Sequence, residues 1–189
     1  SDALKEKKLA LLDFSSAVDT NAFVVTKATA QKYDLRRMSD LAAVAGQLTL
    51  GAPPTCPGRP FCLVGLEKTY GIKFKEFKPL DTGGPITVAA VESGQVDVGL
   101  LFSTDAQIQA KGFVLLVDDK NLQAADNVVP AVRQDVLDTG GDAFKRLVNG
   151  VSAKLTTEKL TSLNAKVSID KKDPRDVAKE FLKAEGLIK

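Results

Sequence analysis

Short apolar runs alternate along the chain with segments that carry helix signals. Seven runs rich in apolar or β-branched residues predict strands: 9–14, 23–26, 48–50, 74–80, 96–102, 113–117 and 128–132. Capping residues, Pro85 and C-terminal glycines between these runs predict four helices: 27–33, 39–45, 63–70 and 85–93. Pro130 interrupts the last run, which favours an edge strand or a crossover at that point.

After about residue 140 the pattern becomes helical only. Asp142–Lys154 is amphipathic, Thr156 is placed to cap the next helix, and Asp173-Pro174 begins the last one. Strands separated by helices predict parallel β-α-β units, and the helical tail would pack on their outside. Because the tail has no strands of its own, we expect some strands of its sheet to belong to sequence outside these 189 residues.

Composition narrows the choice of partner. The 26 basic and 24 acidic residues give a net charge of +2, and the basic residues are scattered, so nucleic acid is not expected as a partner. No apolar run approaches the ~20 residues of a membrane-spanning helix. No signal peptide is recognisable, and the chain is expected to be a processed or truncated product.

The two cysteines bracket a loop that contains two prolines and a glycine. Their spacing excludes a redox CxxC motif, and the absence of histidine and of further cysteines leaves no ligand set for a structural zinc site, so no metal is expected. The tight loop favours a Cys56–Cys62 disulfide over free thiols. Such a bond would favour a location outside the cytoplasm.

The inventory of catalytic groups is small. Without histidine, Ser-His-Asp and Cys-His catalysis are impossible, and neither a P-loop nor a dinucleotide fingerprint occurs. Asp118 and Asp119 are adjacent, so on a strand they would point to opposite faces, and a solvated turn is the better interpretation. We therefore expect no enzyme and no cofactor.

Four blocks of sequence, in order, carry a family resemblance: 19–33, Arg59-Pro60 with 70–77, 92–105, and 116–133 with the Asp173-Pro174 helix. The most specific block is Glu92-Ser93-Gly94-Gln95-Val96-Asp97-Val98, which runs into Ser103-Thr104-Asp105. Together the blocks resemble the glycine betaine/choline/proline-type binding proteins of ABC osmolyte importers, the ProX/OpuAC-like family. The resemblance spans nearly the whole chain.

This resemblance implies an α/β fold of the type II periplasmic-binding-protein class, with two lobes, mixed and mostly parallel sheets, and an incomplete first lobe. Residues 1–24 would form part of lobe I and the first crossover, 25–124 lobe II, and 125–189 the return crossover and the C-terminal helices of lobe I. Such proteins deliver a small polar solute or compatible osmolyte to the membrane permease of an ABC transporter. The resemblance also implies an extracytoplasmic location, with a lipid anchor in the full-length protein, and the exposed first lobe suggests a dimer of the truncated chain.

Members of the family hold quaternary ammonium groups in aromatic boxes and pair the ligand carboxylate with arginine. Arg59 occupies the place of that arginine; the alternative is an ordinary surface residue in a proline-rich loop. The aromatic positions depart from the family pattern, since Asn21, which follows Thr20, and Asn127 stand where tyrosines are usual, and Phe102 replaces another.

Asn21 and Asn127 can donate and accept hydrogen bonds, which favours a ligand with hydroxyl, amide or ammonium protons over betaine itself. Alternatively, both asparagines satisfy local turns, and Phe102 belongs to the core rather than to the pocket. The expected ligand-binding residues are thus Thr20, Asn21, Arg59, Phe102 and Asn127. A second functional hypothesis is the effector-binding module of a transcription regulator, which would carry reduced cysteines.

Overall fold

The computed structural model describes Leu4 and residues 6–189, which form two compact units. One unit consists of the described residues up to Asp19 together with Asp126–Lys189, and the other of Thr20–Ala125. The chain therefore leaves the first unit once and returns to it once. The lobe boundaries inferred from the resemblance, 1–24, 25–124 and 125–189, stay a prediction.

Seven strands lie in the described part of the chain: β1 Leu9–Leu11, β2 Asn21–Val25, β3 Thr49–Ala52, β4 Glu76–Pro79, β5 Val98–Phe102, β6 Val114–Leu115 and β7 Ala131–Arg133. The α-helices of that part are α1 Lys27–Tyr33, α2 Met38–Leu41, α3 Leu63–Gly65, α4 Pro85–Glu92, α5 Gln107–Ala110, α6 Gln134–Lys154, α7 Thr157–Ser168 and α8 Pro174–Ala184. A π-helical turn over Leu66–Tyr70 continues α3, and 3₁₀ turns cover Ala45–Gln47 and Cys56–Gly58.

The Thr20–Ala125 unit is built on a five-stranded sheet with the order β4-β3-β5-β2-β6. Strand β3 pairs in parallel with both β4 and β5, whereas β2 pairs antiparallel with both β5 and β6. The sheet is mixed, as the resemblance implied, but the expectation of mostly parallel pairing is wrong for β2. Its first residue, Asn21, lies opposite Phe102, the last residue of β5, so β2 starts at the edge where β5 ends.

Both faces of this sheet are covered, which explains the nearly continuous apolar run that ends at Phe102. On one face Phe23, Val25 and Leu100 join the largest buried cluster of the described residues. On the other face Val24 and Leu101 pack together beneath α4. Gly99 lies under α4 as well, and a Cβ built on it would overlap Val91 Cγ2, so the helix requires glycine at this place in the strand.

Several element boundaries differ from the predictions; the strand predicted over 128–132, for example, is β7 at Ala131–Arg133. The helix expected over 39–45 with Ser39 as its cap is instead α2, because the Asp40 carboxylate accepts the backbone N–H groups of Arg36 and Arg37 at 2.9 and 2.8 Å and starts the helix earlier. The predicted strand 9–14 is paired only over Leu9–Leu11. Helix α6 begins at Gln134 rather than at 142, with non-helical backbone at Gly141, so the predicted start lies just after this break.

In the other unit, β1 and β7 pair antiparallel, with Leu9 opposite Arg133. Their pairing continues through backbone hydrogen bonds from Leu12 to Pro130, Ser15 to Val128 and Asp19 to Asp126, at 3.0, 2.9 and 3.0 Å. The two connecting segments of the chain therefore form one hydrogen-bonded ribbon.

The last two helices, α7 and α8, begin where the sequence predicted. The Thr156 hydroxyl accepts from Lys159 N at 3.3 Å at the start of α7, and the Asp173 carboxylate accepts from Arg175 N at 2.8 Å at the start of α8. The described sheet of this unit has only two strands, and its apolar residues that are fully covered are Leu12, Ala17 and Val177. A groove of about 290 Å³ between the ribbon and the helices is lined mainly by apolar side chains, among them Val128, Leu147, Val151, Leu182 and Leu187.

Within the part of the chain that the structure describes, no helix combines the length and the apolar character needed to cross a membrane.

Candidate ligand-binding site

Four strands of the Thr20–Ala125 unit meet at one edge of its sheet. Strands β3, β4 and β5 are mutually parallel and end there, and β2, which runs antiparallel to them, begins there. In open α/β sheets, ligands bind outside the carboxyl ends of the parallel strands. This edge is therefore the candidate binding site of the unit.

The loop after β3 carries the disulfide that the sequence predicted. Cys56 and Cys62 are bonded, with an S–S distance of 1.98 Å and a Cα–Cα distance of 5.3 Å, and both residues are fully buried. Arg59 N donates to Cys56 O at 3.1 Å, and Cys62 N donates to Arg59 O at 3.1 Å. The backbone of Arg59 is thus bonded to both cysteines of the closed loop, which fixes the point from which its side chain extends.

The Arg59 side chain is partly buried, and its guanidinium makes no hydrogen bond or ion pair with any residue in the described part of the chain. Arg36, Arg37 and Arg133 each pair with an aspartate, whereas Arg59, like Arg146 and Arg175 of the other unit, has no such partner among the described residues. An unpaired guanidinium presents a planar set of N–H donors that matches a carboxylate in a bidentate manner.

Asn21 and Gln123 converge on the backbone carbonyl of Phe61, two residues after Arg59. Asn21 Nδ2 donates to Phe61 O at 3.1 Å and to Gln123 Oε1 at 2.9 Å, and Gln123 Nε2 donates to Phe61 O at 3.0 Å. This amide triangle ties the start of β2 and the loop before Asp126 to the disulfide loop. Asn21 therefore does not use its amide hydrogens on a local turn.

Sequence reasoning identified Asn21 but missed two residues of this region. Gln123 lies 102 positions from Asn21, and no local pattern marks it as a site residue. Phe61 follows Arg59-Pro60, and its side chain is 39% exposed, unusual for phenylalanine. The one signal that could have pointed to Phe61 is its position inside the short segment enclosed by the cysteines.

Thr20 and Phe102 lie at the same edge. Thr20 N donates to Ser103 Oγ at 3.0 Å, and Ser103 N donates to Thr20 O at 2.8 Å, which closes the end of the β2–β5 pair. A Cβ on Gly83 would lie 3.0 Å from Phe102 Cδ2, so the phenyl ring packs against the turn that follows β4. Phe102 is only partly buried and so belongs to the rim of the core.

In the turn after β4, the carboxylate of Asp81 accepts its hydrogen bonds from the start of α4. Asp81 accepts hydrogen bonds from Gly84 N, Ile86 N and Thr87 N at 3.2, 3.0 and 2.9 Å and from the Thr87 hydroxyl at 2.6 Å. Burial acts to raise the pKa of Asp81, but these hydrogen bonds outweigh it and lower the pKa below its ordinary value. The charge of Asp81 thus stabilises the start of α4 and is not free to bind a cation.

The Asp118-Asp119 pair forms a turn, but the expectation that it is merely solvated is wrong. Asp118 accepts from the Tyr70 hydroxyl and from Leu122 N and Gln123 N, the latter two at 3.0 and 2.7 Å. Asp119 accepts from Ser39 N at 3.1 Å. Because Asp118 is the acceptor for the Gln123 backbone, it sets the place of one corner of the amide triangle.

Asn127 belongs to the other unit, whereas Thr20, Asn21, Arg59 and Phe102 all lie in the Thr20–Ala125 unit. Asn127 Nδ2 donates to Ser15 O at 3.0 Å, and its backbone forms an isolated bridge with Val18. Its side chain thus supports the ribbon of connecting segments. Nowhere in the described residues do three or more His, Cys, Asp or Glu side chains come together in a way that could hold a metal ion.

Comparison with known proteins places the chain in a family. The family model OpuAC, described as the substrate binding domain of an ABC-type glycine betaine transport system, matches residues 1–184. The carnitine transport binding protein OpuCC of Listeria monocytogenes is 31% identical over 165 residues, which are 87% of this chain and 53% of that protein. The glycine betaine-binding protein YehZ of Escherichia coli is 28% identical over 98% of this chain and 63% of its own length.

A solved structure of a glycine betaine/carnitine/choline ABC transporter protein superposes with a TM-score of 0.75 at 32% identity, covering 98% of this chain and 68% of the other. The chain thus spans about half the length of the Listeria relative, and its fold is that of the type II periplasmic binding proteins, as the resemblance implied. The chain belongs to the OpuAC family of substrate-binding domains of ABC-type glycine betaine transport systems.

Proposed function

We propose that this chain is part of an extracytoplasmic solute-binding protein that delivers a small polar solute or compatible osmolyte of the glycine betaine class to the membrane permease of an ABC transporter. The observation that carries the proposal is Arg59: the disulfide loop holds its backbone after the end of β3, beside the sheet edge where ligands of such folds bind, and its guanidinium has no partner among the described residues. Membership of the family supports it independently.

In this proposal Arg59 pairs with a ligand carboxylate, a charge-assisted contact that contributes about 1.5–3 kcal/mol. Thr20 and Asn21 supply polar contacts beside it, and the partly exposed rings of Phe61 and Phe102 supply apolar faces that attract a cationic group. Asn127, which the sequence also suggested as a ligand-binding residue, stays a prediction.

The proposed activity is binding and delivery without catalysis. The chain has no histidine, and the carboxylates of Asp81 and Asp118 are occupied by hydrogen bonds within the fold. These groups therefore support the positions of loops rather than the transfer of protons to a ligand.

The disulfide also bears on location. Disulfides persist in oxidising compartments, and the regulator hypothesis required reduced cysteines, so the Cys56–Cys62 bond supports the extracytoplasmic proposal and gives the regulator hypothesis no support. A lipid anchor in the full-length protein is part of the proposal. A dimer of this chain stays a prediction.

The test is ligand binding by the purified full-length protein, with glycine betaine, carnitine, choline, proline and dimethylglycine as candidates. A ligand that binds the native state raises its stability by about 2.7 kcal/mol at 100 times the Kd, which thermal unfolding detects readily. We expect at least one carboxylate-bearing member to stabilise the protein. If none of them changes the melting temperature at millimolar concentration, the proposed function is wrong.

A further inference from the structure

The amide triangle has a fixed polarity. The carbonyl of Phe61 has only acceptor capacity, so both side chains that contact it must present N–H groups to it. Gln123 does so with Nε2, and this orientation turns its Oε1 toward Asn21. Asn21 in turn must present Nδ2 to both neighbours. One backbone carbonyl therefore decides how two side-chain amides are oriented.

Both hydrogens of Asn21 Nδ2 are used within the protein. One goes to Phe61 O at 3.1 Å and the other to Gln123 Oε1 at 2.9 Å. A primary amide has two N–H donors, so no donor remains on the Asn21 side chain. The sequence alone allowed Asn21 to donate and to accept; the structure leaves it only the acceptor Oδ1.

Asn21 Oδ1 is open to the surroundings. Asn21 is partly exposed, and its Oδ1 makes no hydrogen bond to another residue in the described part of the chain. In that part, Ser168 Oγ is the one fully buried side-chain polar atom without a partner. Water or a ligand group therefore has access to Asn21 Oδ1.

The backbone position of Arg59 lies close to the Asn21 side chain. Arg59 precedes Phe61 by two residues, so their Cα atoms are at most about 7 Å apart. The carbonyl of Phe61 is in direct contact with Asn21 Nδ2. A small ligand that pairs with Arg59 through a carboxylate can thus present a second group to Asn21.

We propose that Asn21 Oδ1 selects ligands that carry an O–H or N–H donor near their carboxylate and disfavours those whose nitrogen is fully substituted and that have no hydroxyl group. This inference rests on the proposed function and names its substrate class. The reason is one of hydrogen-bond satisfaction: a donor-bearing ligand replaces the water on Oδ1 with a hydrogen bond, whereas a methyl group in the same place removes the water without replacing it. Oδ1 then loses a partner on binding.

Two pairs of compounds isolate this contact. L-Carnitine differs from γ-butyrobetaine by one hydroxyl group, and N,N-dimethylglycine differs from glycine betaine by one N–H in place of a methyl group. Dissociation constants for all four are measured by titration calorimetry with the full-length protein. A single neutral hydrogen bond corresponds to a preference of roughly three- to ten-fold for the donor-bearing member, and a charge-assisted one to more.

The variant Asn21→Ala removes the acceptor. We expect the ratio of the two dissociation constants within each pair to fall toward one, even where both affinities weaken because the triangle is lost. A purely structural role of Asn21 would change both constants by the same factor and leave the ratio intact. Asn149→Ala is the matched control, since Asn149 also uses its amide on an internal partner, Asp13, but lies in the other unit.

The outcomes separate the two proposals. If the member of each pair that lacks the extra donor binds as tightly as its donor-bearing partner, the inference about Asn21 is wrong while the solute-binding function stands. The same holds if the ratios are unchanged in Asn21→Ala. If none of the four compounds binds, both the inference and the assignment to this class of solutes fall.

Discussion

The hydroxyl of Tyr70 donates a hydrogen bond to the carboxylate of Asp118, 48 positions later in the chain. The same hydroxyl accepts from Lys120 N at 2.7 Å, and Lys120 Nζ lies 5.1 Å from the centre of the Tyr70 ring. Through the bond from Gln123 N to Asp118, this contact places the residue that orients Asn21. Tyr70, at the end of the helical segment before Gly71, thus stabilises the position of Gln123 through Asp118.

The first prediction concerns the Tyr70 hydroxyl. Tyr70→Phe leaves Lys120 N without its acceptor and removes one of the hydrogen bonds that Asp118 accepts, and we expect it to lower the free energy of unfolding by about 1–3 kcal/mol. Urea denaturation at neutral pH measures the loss. Tyr33→Phe is the control, because the Tyr33 side chain contacts Lys32 rather than this network.

Tyr70 also makes stability depend on alkaline pH. Burial and then the hydrogen bond to Asp118 raise the pKa of Tyr70 above its ordinary value. Because the folded-state pKa exceeds the unfolded value of about 10, the contribution is fully present below pH ~10 and is lost as the pH rises further. From pH 9 upward, the free energy of unfolding should therefore decrease more steeply with pH for the native sequence than for Tyr70→Phe. Equal slopes in both proteins would contradict the role assigned to the hydroxyl.

Arg59→Ala tests the charge at the site. Since the guanidinium forms no hydrogen bond or ion pair in the described part of the chain, the free energy of unfolding should change by less than about 0.5 kcal/mol. Affinity for a carboxylate-bearing ligand should fall by about ten-fold or more, whereas affinity for choline, which has no carboxylate, should be nearly unchanged. Arg36→Ala, which removes an exposed and paired arginine of the same unit, is the control. An equal loss for both ligand types would argue against pairing between Arg59 and a carboxylate.

The disulfide should matter more for the site than for the fold. The loop it closes is short, with a sequence separation of 6, so the double variant Cys56→Ala/Cys62→Ala should lose only about 2 kcal/mol of stability. Hydrogen exchange of the amides between the cysteines should accelerate, and ligand affinity should fall with it. Unchanged exchange in this segment would mean that hydrogen bonds alone hold Arg59.

Asp81 should protect the start of α4. Its pKa is lowered because hydrogen bonds outweigh burial, so its contribution is present above an unfolded-state pKa of about 3.9 and is lost as the pH falls through the folded value. Asp81→Ala should cost about 1 kcal/mol at pH 7, the usual effect of a lost helix cap, and less at pH 3. Thermal unfolding at both pH values measures the difference. If Asp81→Ala lowers the free energy of unfolding by the same amount at pH 3 as at pH 7, the effect comes from packing rather than from the charge of the carboxylate.

Local signals predicted much of this fold. Thr156 and Asp173 cap the helices that they were expected to cap, and Gly71 and Gly94, at the ends of their helical segments, adopt positive φ angles of 71° and 72°. Such signals work because a cap depends on residues only a few positions away. The disulfide was predictable for a similar reason, since the loop that closes it is short and contains prolines and glycine.

The remainder depends on contacts between distant parts of the chain. One exception is local: Asp40 accepts the backbone N–H groups of Arg36 and Arg37 and so starts α2 early, and the sequence did not distinguish this from capping by Ser39. The orientation of Asn21 depends on Gln123 and on a backbone carbonyl, neither of which any periodicity marks. A polar residue in a loop becomes part of a site only when tertiary structure brings it there.

The close approach of α4 to Gly99 couples the side-chain volumes allowed at positions 91 and 99, although the two residues belong to different elements. Because a methyl group at 99 would occupy the space of Val91 Cγ2, a larger residue at 99 is compatible with this fold only if residue 91 becomes smaller. Among homologous chains, the two sites should consequently vary as a volume-conserving pair. An engineered exchange of bulk between strand and helix should be tolerated far better than either substitution by itself.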